Sequence, residues 1–163
     1  LEHAVQFAKD PQHANLEDHL HARDGMLHAA MMGAVAFQKG LGVTHSCAHA
    51  LSTVCDTHHG LANGVMVTYA MSFNLATCGQ RFAQMAQVAG LADTSAEGFL
   101  TWLHDLQDKT GIPRKLSQLG VTVEHLDALV ECAVHDPCHQ LNPRPVTRED
   151  FEALFQQALH GAS

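Results

Sequence analysis

The sequence is poor in basic residues and has no long apolar run. Its 163 residues include nine Lys and Arg against 17 Asp and Glu, which gives a formal net charge of −8. No basic stripe is therefore present to neutralise nucleic-acid phosphates. The chain also lacks the run of about 18 apolar residues that a membrane-spanning helix needs. We expect neither nucleic acid nor a membrane as a partner.

The five cysteines form no Cys-x-x-Cys pair, and their odd number does not suggest a disulfide framework. A chain of this size can bury a sufficient core without covalent cross-links. We therefore expect a reducing compartment and a cytoplasmic location. No charged and apolar leader precedes the domain, and Leu1, Val5 and Ala8 already follow a helical spacing. We interpret the first residue as a cut in a longer sequence.

Several catalytic signatures are missing. Gly40 and Gly42 are followed by His45 where a dinucleotide-binding fingerprint needs a third small residue, and no strand precedes them. No Walker phosphate-binding sequence and no His-Glu-x-x-His occur, and Ser46 and Ser52 lie in no nucleophile elbow. We expect no hydrolase chemistry, and we do not expect this chain to hold NAD(P) by itself.

Long stretches of alternating polar and apolar residues are nearly absent, whereas apolar spacings of three and four recur throughout. The pattern predicts an all-α fold in which residues 1–163 form one domain of six to eight helices. Pro-rich residues 136–145 are predicted to form a loop. The predicted helices are a first one ended by Pro11, a long one over 15–39, a short one after His45 and an apolar one over 61–76. Others follow over 81–89, from a capping box of Thr94 and Glu97 to a stop at Gly111, and over 123–134, with a last one capped by Thr147 and Asp150.

What the sequence has in excess is histidine, with 14 residues against nine Lys and Arg. His45 and His49 are four residues apart, so they lie on one face of a helix and can share a metal ion or a substrate. His59 follows His45 by 14 residues, which is about 21 Å along a continuous helix. If His45 and His59 bind one ion, the chain must reverse near residues 56–60, which read as a turn. The alternative is that these are surface histidines or hydrogen-bonded core histidines.

Three separated runs carry a resemblance to a known family. They are Gly40–Leu41–Gly42–Val43–Thr44–His45–Ser46–Cys47–Ala48–His49–Ala50–Leu51, then His59–Gly60–Leu61–Ala62–Asn63–Gly64, and Phe73–Asn74. Together they resemble the metal-binding stretch of iron-containing (group III) alcohol dehydrogenases. Residues 136–138 and 142–144 resemble the family's late loop, and the whole chain fits the helical C-terminal half of that family. Ala50 and Ser52 stand where the family often has Pro and Gly.

The resemblance implies that His45 and His59 are metal ligands and that His49 lies near the substrate and the nicotinamide, where it assists proton transfer. It implies no such role for His58. The metal would be Fe(II), with Zn(II) and Ni(II) also compatible with imidazole and carboxylate ligands. An Asp and a His upstream of Leu1 would complete the metal site, in a nucleotide-binding domain that also binds NAD or NADP. The implied activity is the interconversion of small alcohols and aldehydes, in an enzyme that is a homodimer.

Other readings of the same residues stay open. Asp24 and His28 repeat the Asp-x-x-x-His spacing, although such pairs are common on exposed helices. A zinc site can be imagined from four residues around Pro137, but their spacing matches no common zinc finger; they are Cys132, His135, Cys138 and His139. The chain as a whole could instead be a His-rich metal-binding module without catalysis, or a dimerisation module that uses residues 61–73 as an interface.

Overall fold

A computed structural model of the protein describes residues 16–161. The chain divides into two compact units, Leu1–Gly40 and Leu41–Ser163, and each is described here by itself. Within residues 16–161 the secondary structure consists of six α-helices and three short 3₁₀ helices, without a β-strand. This confirms the all-α prediction. The helix predicted before Pro11 lies outside the described residues.

In the first unit, helix α1 spans Leu16–Phe37. It matches the long helix that apolar spacing predicts over residues 15–39, although it ends two residues earlier. Gly40 follows with a φ of 98°, a left-handed conformation that glycine adopts without steric cost. Asp24 and His28 lie on this helix, where Nδ1 of His28 is 2.9 Å from the backbone oxygen of Asp24 and 3.5 Å from its carboxylate. The pair is therefore a contact within one turn of a helix.

The second unit holds the other five helices, which pack around two hydrophobic clusters, a larger one and a smaller one. Helix α2 is its most buried element, because Cys47, Ala48, Ala50 and Leu51 are all 0% exposed. It contacts α3, α5 and the 3₁₀ helix that precedes α6. The bounds are Val43–Cys55 for α2, His59–Val88 for α3, Ala96–Thr110 for α4, Leu126–His135 for α5 and Arg148–His160 for α6, with 3₁₀ helices at Leu116–Leu119, Val123–His125 and Pro137–Leu141.

Two helices of the sequence prediction form one continuous helix in the structure. The segments predicted over 61–76 and 81–89 both belong to α3, which runs through residues 77–80 without interruption. Cys78 and Phe82, each 5% exposed, continue the buried face of the helix past this point and pack with Phe99 of α4. Gly79 stands inside the helix and does not end it. Tertiary packing of α3 on α4 therefore outweighs the weak helix propensity of this glycine.

Two helix starts also differ from the prediction. Helix α2 begins at Val43, before His45, because the side-chain oxygen of Asn142 accepts a hydrogen bond from the Val43 amide at 3.3 Å. Helix α4 is capped by Ser95 rather than Thr94, since the Ser95 hydroxyl accepts from the Gly98 amide at 2.9 Å. Side-chain contacts set both of these starts, and the spacing of apolar residues does not report such contacts. A third start also differs, since the helix predicted over 123–134 begins as the 3₁₀ helix Val123–His125 and becomes α-helical at Leu126.

The predicted loop over 136–145 contains the 3₁₀ helix Pro137–Leu141, which Asp136 caps by accepting from the Cys138 amide. The cap of the last helix is as predicted. The Asp150 amide donates to the Thr147 hydroxyl at 3.2 Å, and the Thr147 amide donates to the Asp150 carboxylate at 2.9 Å, which completes a capping box. None of the described helices combines the length and the apolar character that crossing a bilayer requires.

Two glycines of α3 form a matched pair for a test of packing. A Cβ on Gly64 would lie 2.9 Å from Cδ1 and 3.2 Å from Cγ2 of Ile112, whereas a Cβ on Gly79 would meet only Ala96, at 3.9 Å. We expect Gly79→Ala to raise the free energy of unfolding by up to about 1 kcal/mol through helix propensity. Gly64→Ala should lower it by about 1–2 kcal/mol, because overpacking Ile112 outweighs the same gain. Urea denaturation measures the change in the free energy of unfolding for each variant. An equal gain in both would show that Ile112 moves aside freely.

Candidate metal centre

The chain reverses direction between α2 and α3, as two histidines on one ion would require. Asp56 takes a left-handed conformation with a φ of 51°, and the Thr57 amide donates back to the Leu51 carbonyl at 3.3 Å. The Ser52 hydroxyl donates to the Thr57 carbonyl at 2.9 Å and fixes the turn from the other side. His59 is already the first residue of α3, so the reversal is shorter than the predicted turn over 56–60.

This reversal brings three imidazoles together. Ring centroids are 6.0 Å apart for His45 and His49, 5.7 Å for His45 and His59, and 5.3 Å for His49 and His59, whose rings stack at 20°. The separation of His45 and His59 is one that two metal–nitrogen bonds of about 2.0–2.1 Å can bridge. His58, by contrast, is the exposed cap residue of α3. The structure thus brings His45, His49 and His59 into one cluster.

The surroundings of His45 favour the neutral form of its imidazole. Its pKa is lowered by burial first and then by the nearby imidazoles of His59 and His49, while the Asp136 carboxylate acts in the opposite direction. A neutral imidazole keeps a lone pair on one ring nitrogen, which is the form that binds a metal ion. The donor set at His45 and His59 therefore fits a divalent ion of the borderline class, such as Fe(II), Zn(II) or Ni(II).

Asn63 holds the ring of His59. Its side-chain nitrogen lies 3.0 Å from Nε2 of His59 and 3.0 Å from the backbone oxygen of the same residue, one helical turn earlier. Because the amide group is a donor, Nε2 of His59 accepts in this arrangement and carries a lone pair. That lone pair is the one that a metal ion at Nε2 would use in place of the amide.

Asp136, from the late loop, pairs with His49. Oδ2 of Asp136 lies 2.7 Å from Nδ1 of His49, and Oδ1 accepts from the Ser46 hydroxyl at 2.7 Å and from the Cys138 amide at 2.8 Å. Burial alone would raise the pKa of Asp136, but the hydrogen bonds from His49, Ser46 and Cys138 outweigh it and lower the pKa to about 2. The carboxylate therefore stays ionised throughout the neutral range.

His49, Asp136 and Cys138 also offer three possible metal-ligand atoms within 4.8 Å of one another, the one such group in the part of the chain that the structure describes. Both oxygens of Asp136 are already occupied by donors. Burial, together with the neighbouring Asp136, raises the pKa of the Cys138 thiol to about 11, and a protonated thiol is a poor ligand. These three residues therefore form a hydrogen-bonded cluster.

The zinc site considered around Pro137 is not assembled among residues 16–161. Neither Cys132, His135 nor His139 joins Cys138 in a group of candidate ligands. Nδ1 of His135 instead faces the carbonyl of Glu131 at 2.8 Å, and Nε2 of His139 faces the carbonyl of Val134 at 3.1 Å. The imidazoles of His135 and His139, which such a site would need, thus contact backbone carbonyls of their own chain.

One amide side chain contacts the late loop and both of the helices that carry the clustered histidines. Oδ1 of Asn142 accepts from the Val43 amide at 3.3 Å and from Asn74 at 3.1 Å, and its nitrogen donates to Asn74 at 2.8 Å and to the Arg144 carbonyl at 2.7 Å. The Arg144 guanidinium stacks on the Phe73 ring at 3.8 Å. Two of the runs that carry the family resemblance, 40–51 and 73–74, therefore meet the late loop in space, although 99 positions separate Val43 from Asn142.

Comparison with known proteins gives the same family as these motifs. The sequence profile described as "Fe-containing alcohol dehydrogenase family, C-terminal" matches residues 6–159. The chain belongs to the iron-containing alcohol dehydrogenase family. This confirms the resemblance drawn from the motifs, and the match to a C-terminal profile agrees with the part of the family that the motifs indicated.

Similar members of the family are all much longer than this chain. It is 35% identical to the NAD-dependent methanol dehydrogenase of Bacillus methanolicus over 90% of this chain and 40% of that protein. It is 31% identical to the 1,3-propanediol dehydrogenase of Klebsiella pneumoniae over 88% of this chain and 39% of that protein. The solved alcohol dehydrogenase from Oenococcus oeni superimposes with a TM-score of 0.81 and 30% identity over 96% of this chain and 43% of that one. The chain thus spans about two fifths of the length of these relatives.

Motif reasoning within the family picked out the three histidines but assigned no role to Asp136, Ser46 or Asn63. Asp136 before Pro137 carries one local signal, since Asp followed by Pro is typical of a helix start. Its pairing with His49, 87 positions away, has no local signal. Asn63 is four residues after His59, a spacing that places both on one helix face.

Asp136 should make stability depend on acid pH. A carboxyl whose pKa is lower in the folded state stabilises the fold above its unfolded pKa, and this contribution is lost as the pH falls through the folded value of about 2. We expect the difference in unfolding free energy between the natural chain and Asp136→Asn to shrink by about 2 kcal/mol between pH 5 and pH 2. Urea denaturation across that range measures it, and a constant difference would contradict the assignment.

Proposed function

We propose that this chain is the helical, metal-carrying part of an NAD(P)-linked alcohol dehydrogenase or aldehyde reductase, with His45 and His59 as metal ligands. The observation that carries the proposal is the approach of the His45 and His59 rings to 5.7 Å across a chain reversal. Membership of the iron-containing family supports it. The chain spans about two fifths of its relatives, so the activity is proposed for a longer polypeptide that contains it.

The two imidazoles form part of a metal site. Fe(II) is the ion that the family description favours, and Zn(II) and Ni(II) accept the same ligands. We infer that an Asp and a His from a preceding nucleotide-binding domain complete the ligand set and that this domain binds NAD or NADP. When bound, the ion would act as a Lewis acid on the alcohol or carbonyl oxygen.

His49 is the group that we assign to proton transfer. Its ring lies next to both proposed ligands, and 38% of its side chain is exposed, so a substrate can reach it. In alcohol oxidation the hydroxyl proton would pass to His49 while the hydride passes to the nicotinamide. The relatives named for methanol and for 1,3-propanediol favour a small alcohol or the corresponding aldehyde as substrate.

A homodimer and a cytoplasmic location stay predictions. Residues 61–73, which the sequence offered as a dimer interface, contribute much of their apolar surface to the core instead. Ala62, Val65 and Met66 are 0% exposed, and Tyr69 is 6% exposed. Leu61, Val67 and Phe73 of the same segment are only partly buried and are available to an interface, and sedimentation as a function of concentration measures the oligomeric state.

Removal of either proposed ligand should abolish activity in a polypeptide that joins this chain to its nucleotide-binding domain. We expect His45→Ala and His59→Ala each to lower metal content and to reduce NAD(P)-linked alcohol oxidation by about 100-fold or more. His58→Ala is the matched control, because His58 is the exposed neighbour of His59 and should leave both quantities unchanged. Metal analysis and initial rates measure the outcome, and full activity of His45→Ala would contradict the ligand assignment.

The 163-residue chain alone should bind metal weakly. Two imidazoles without the additional Asp and His leave most coordination positions to water, so we expect weak affinity for Zn²⁺ and no alcohol oxidation. Calorimetric titration of Zn²⁺ into the natural chain and into His45→Ala measures it. Tight stoichiometric binding together with NAD-linked turnover would contradict the proposal. Binding of several ions that survives the loss of both His45 and His59 would favour a His-rich metal-binding module.

A further inference from the structure

We propose that Asp136 is a positioning residue that holds His49 in the tautomer with the proton on Nδ1, so that Nε2 is the nitrogen that exchanges protons with the substrate. The assignment of the tautomer follows from hydrogen bonds within this chain. Its catalytic consequence rests on the function proposed for His49. These two parts are separable by experiment.

Oδ1 of Asp136 has two hydrogen-bonding neighbours. The Ser46 hydroxyl accepts a hydrogen bond from the His139 amide at 2.9 Å and lies 2.7 Å from Oδ1. A hydroxyl has one hydrogen to donate, and here it is directed to Asp136. The Cys138 amide, which can only donate, lies 2.8 Å from the same oxygen. Two donors therefore converge on Oδ1, and the carboxyl group is ionised at neutral pH because an ordinary aspartate has a pKa of about 3.9.

Oδ2 of Asp136 lies 2.7 Å from Nδ1 of His49. An ionised carboxylate has no hydrogen, so the contact is a hydrogen bond only if Nδ1 carries the proton. The other neutral tautomer would place a ring lone pair against a negative oxygen in a half-buried site, where an unmet acceptor is costly. The low pKa of Asp136, about 2, agrees with a carboxylate whose two oxygens both accept hydrogen bonds.

The contact between Asp136 and His49 determines which ring nitrogen is free for the proposed reaction. With Nδ1 protonated, Nε2 of the neutral ring carries the lone pair and can take the hydroxyl proton as hydride leaves the alcohol carbon for the nicotinamide. In the reverse reaction Nε2–H returns that proton to the oxygen as the carbonyl is reduced. The positive charge that His49 bears in between lies 2.7 Å from the Asp136 carboxylate, which stabilises it.

Asp136 also caps the 3₁₀ helix at Pro137–Leu141, so a purely structural role must be separated from the positioning role. Asp136→Asn makes this separation. An asparagine Oδ1 can still accept from Ser46 and Cys138, while its amide group presents a donor to Nδ1 of His49. The cap is retained, and the preferred tautomer of His49 is reversed.

The first experiment uses nitrogen-15 NMR of histidine-labelled chain at about pH 8, where an ordinary histidine is neutral. His49→Gln identifies the His49 signals. We expect the natural chain to show a protonated Nδ1 in His49 and Asp136→Asn to show a protonated Nε2. Asp24→Asn is the matched control, since Asp24 and His28 form an exposed carboxylate–histidine contact on α1, and it should leave His49 unchanged.

The second experiment measures kinetics in the polypeptide that joins this chain to its nucleotide-binding domain. We expect Asp136→Asn to lower kcat about 10- to 100-fold with little change in KM, because substrate contacts are kept and proton transfer is impaired. Asp24→Asn should retain the natural rate.

Either of two results would overturn the proposal. One is a natural chain with the proton of His49 on Nε2, a measurement that does not depend on any variant. The other is a reversed tautomer in Asp136→Asn with unchanged kcat, which would remove the positioning role. Failure of the proposed function itself would show differently, as full activity in His45→Ala.

Discussion

The amide side chain of Asn142 makes the contact on which the geometry of the site depends. It accepts from the first amide of α2, exchanges two hydrogen bonds with Asn74 of α3, and donates within its own loop. A helix start, a second helix and the late loop are thereby fixed relative to one another. Gly42 permits this approach, because a Cβ there would lie 2.9 Å from Oδ1 of Asn142. With the loop held in this way, Asp136 is delivered to His49.

Burial of α2 restricts movement of the helix that carries His45 and His49. One face of the helix consists of small or medium side chains with no exposed surface, including Cys47, Ala48 and Leu51. Such residues allow neighbouring helices to approach closely and leave little space for the helix to shift. His45 and His49 stand at the partly exposed edge of the same helix. Their backbone is therefore part of the core, while their rings remain partly exposed.

The sequence predicts the helices well because the apolar spacing of each one records the face that it buries. It also predicts the reversal between His45 and His59, since Asp56 is a residue type that tolerates a left-handed conformation. The merging of two helices at Gly79 was not predictable from local propensity, because packing against α4 decides it. The hydrogen-bond partners of His49 were also not predictable from the sequence. The pairing of Asp136 with His49 arises from tertiary folding across 87 positions, and motif spacing carries no information about it.

The two functional halves of the cluster differ in how complete they are within this chain. His49 has its partner here, since Asp136, Ser46 and Cys138 satisfy one another and leave a single ring nitrogen for chemistry. His45 and His59 provide two nitrogen donors, and a metal ion needs at least four ligands. The lowered pKa of His45 keeps that ring ready for an ion, because burial and neighbouring imidazoles disfavour its protonation. The hydrogen-bond partners of His49 thus all belong to this chain, whereas the metal site that we propose at His45 and His59 would need further ligands from outside it.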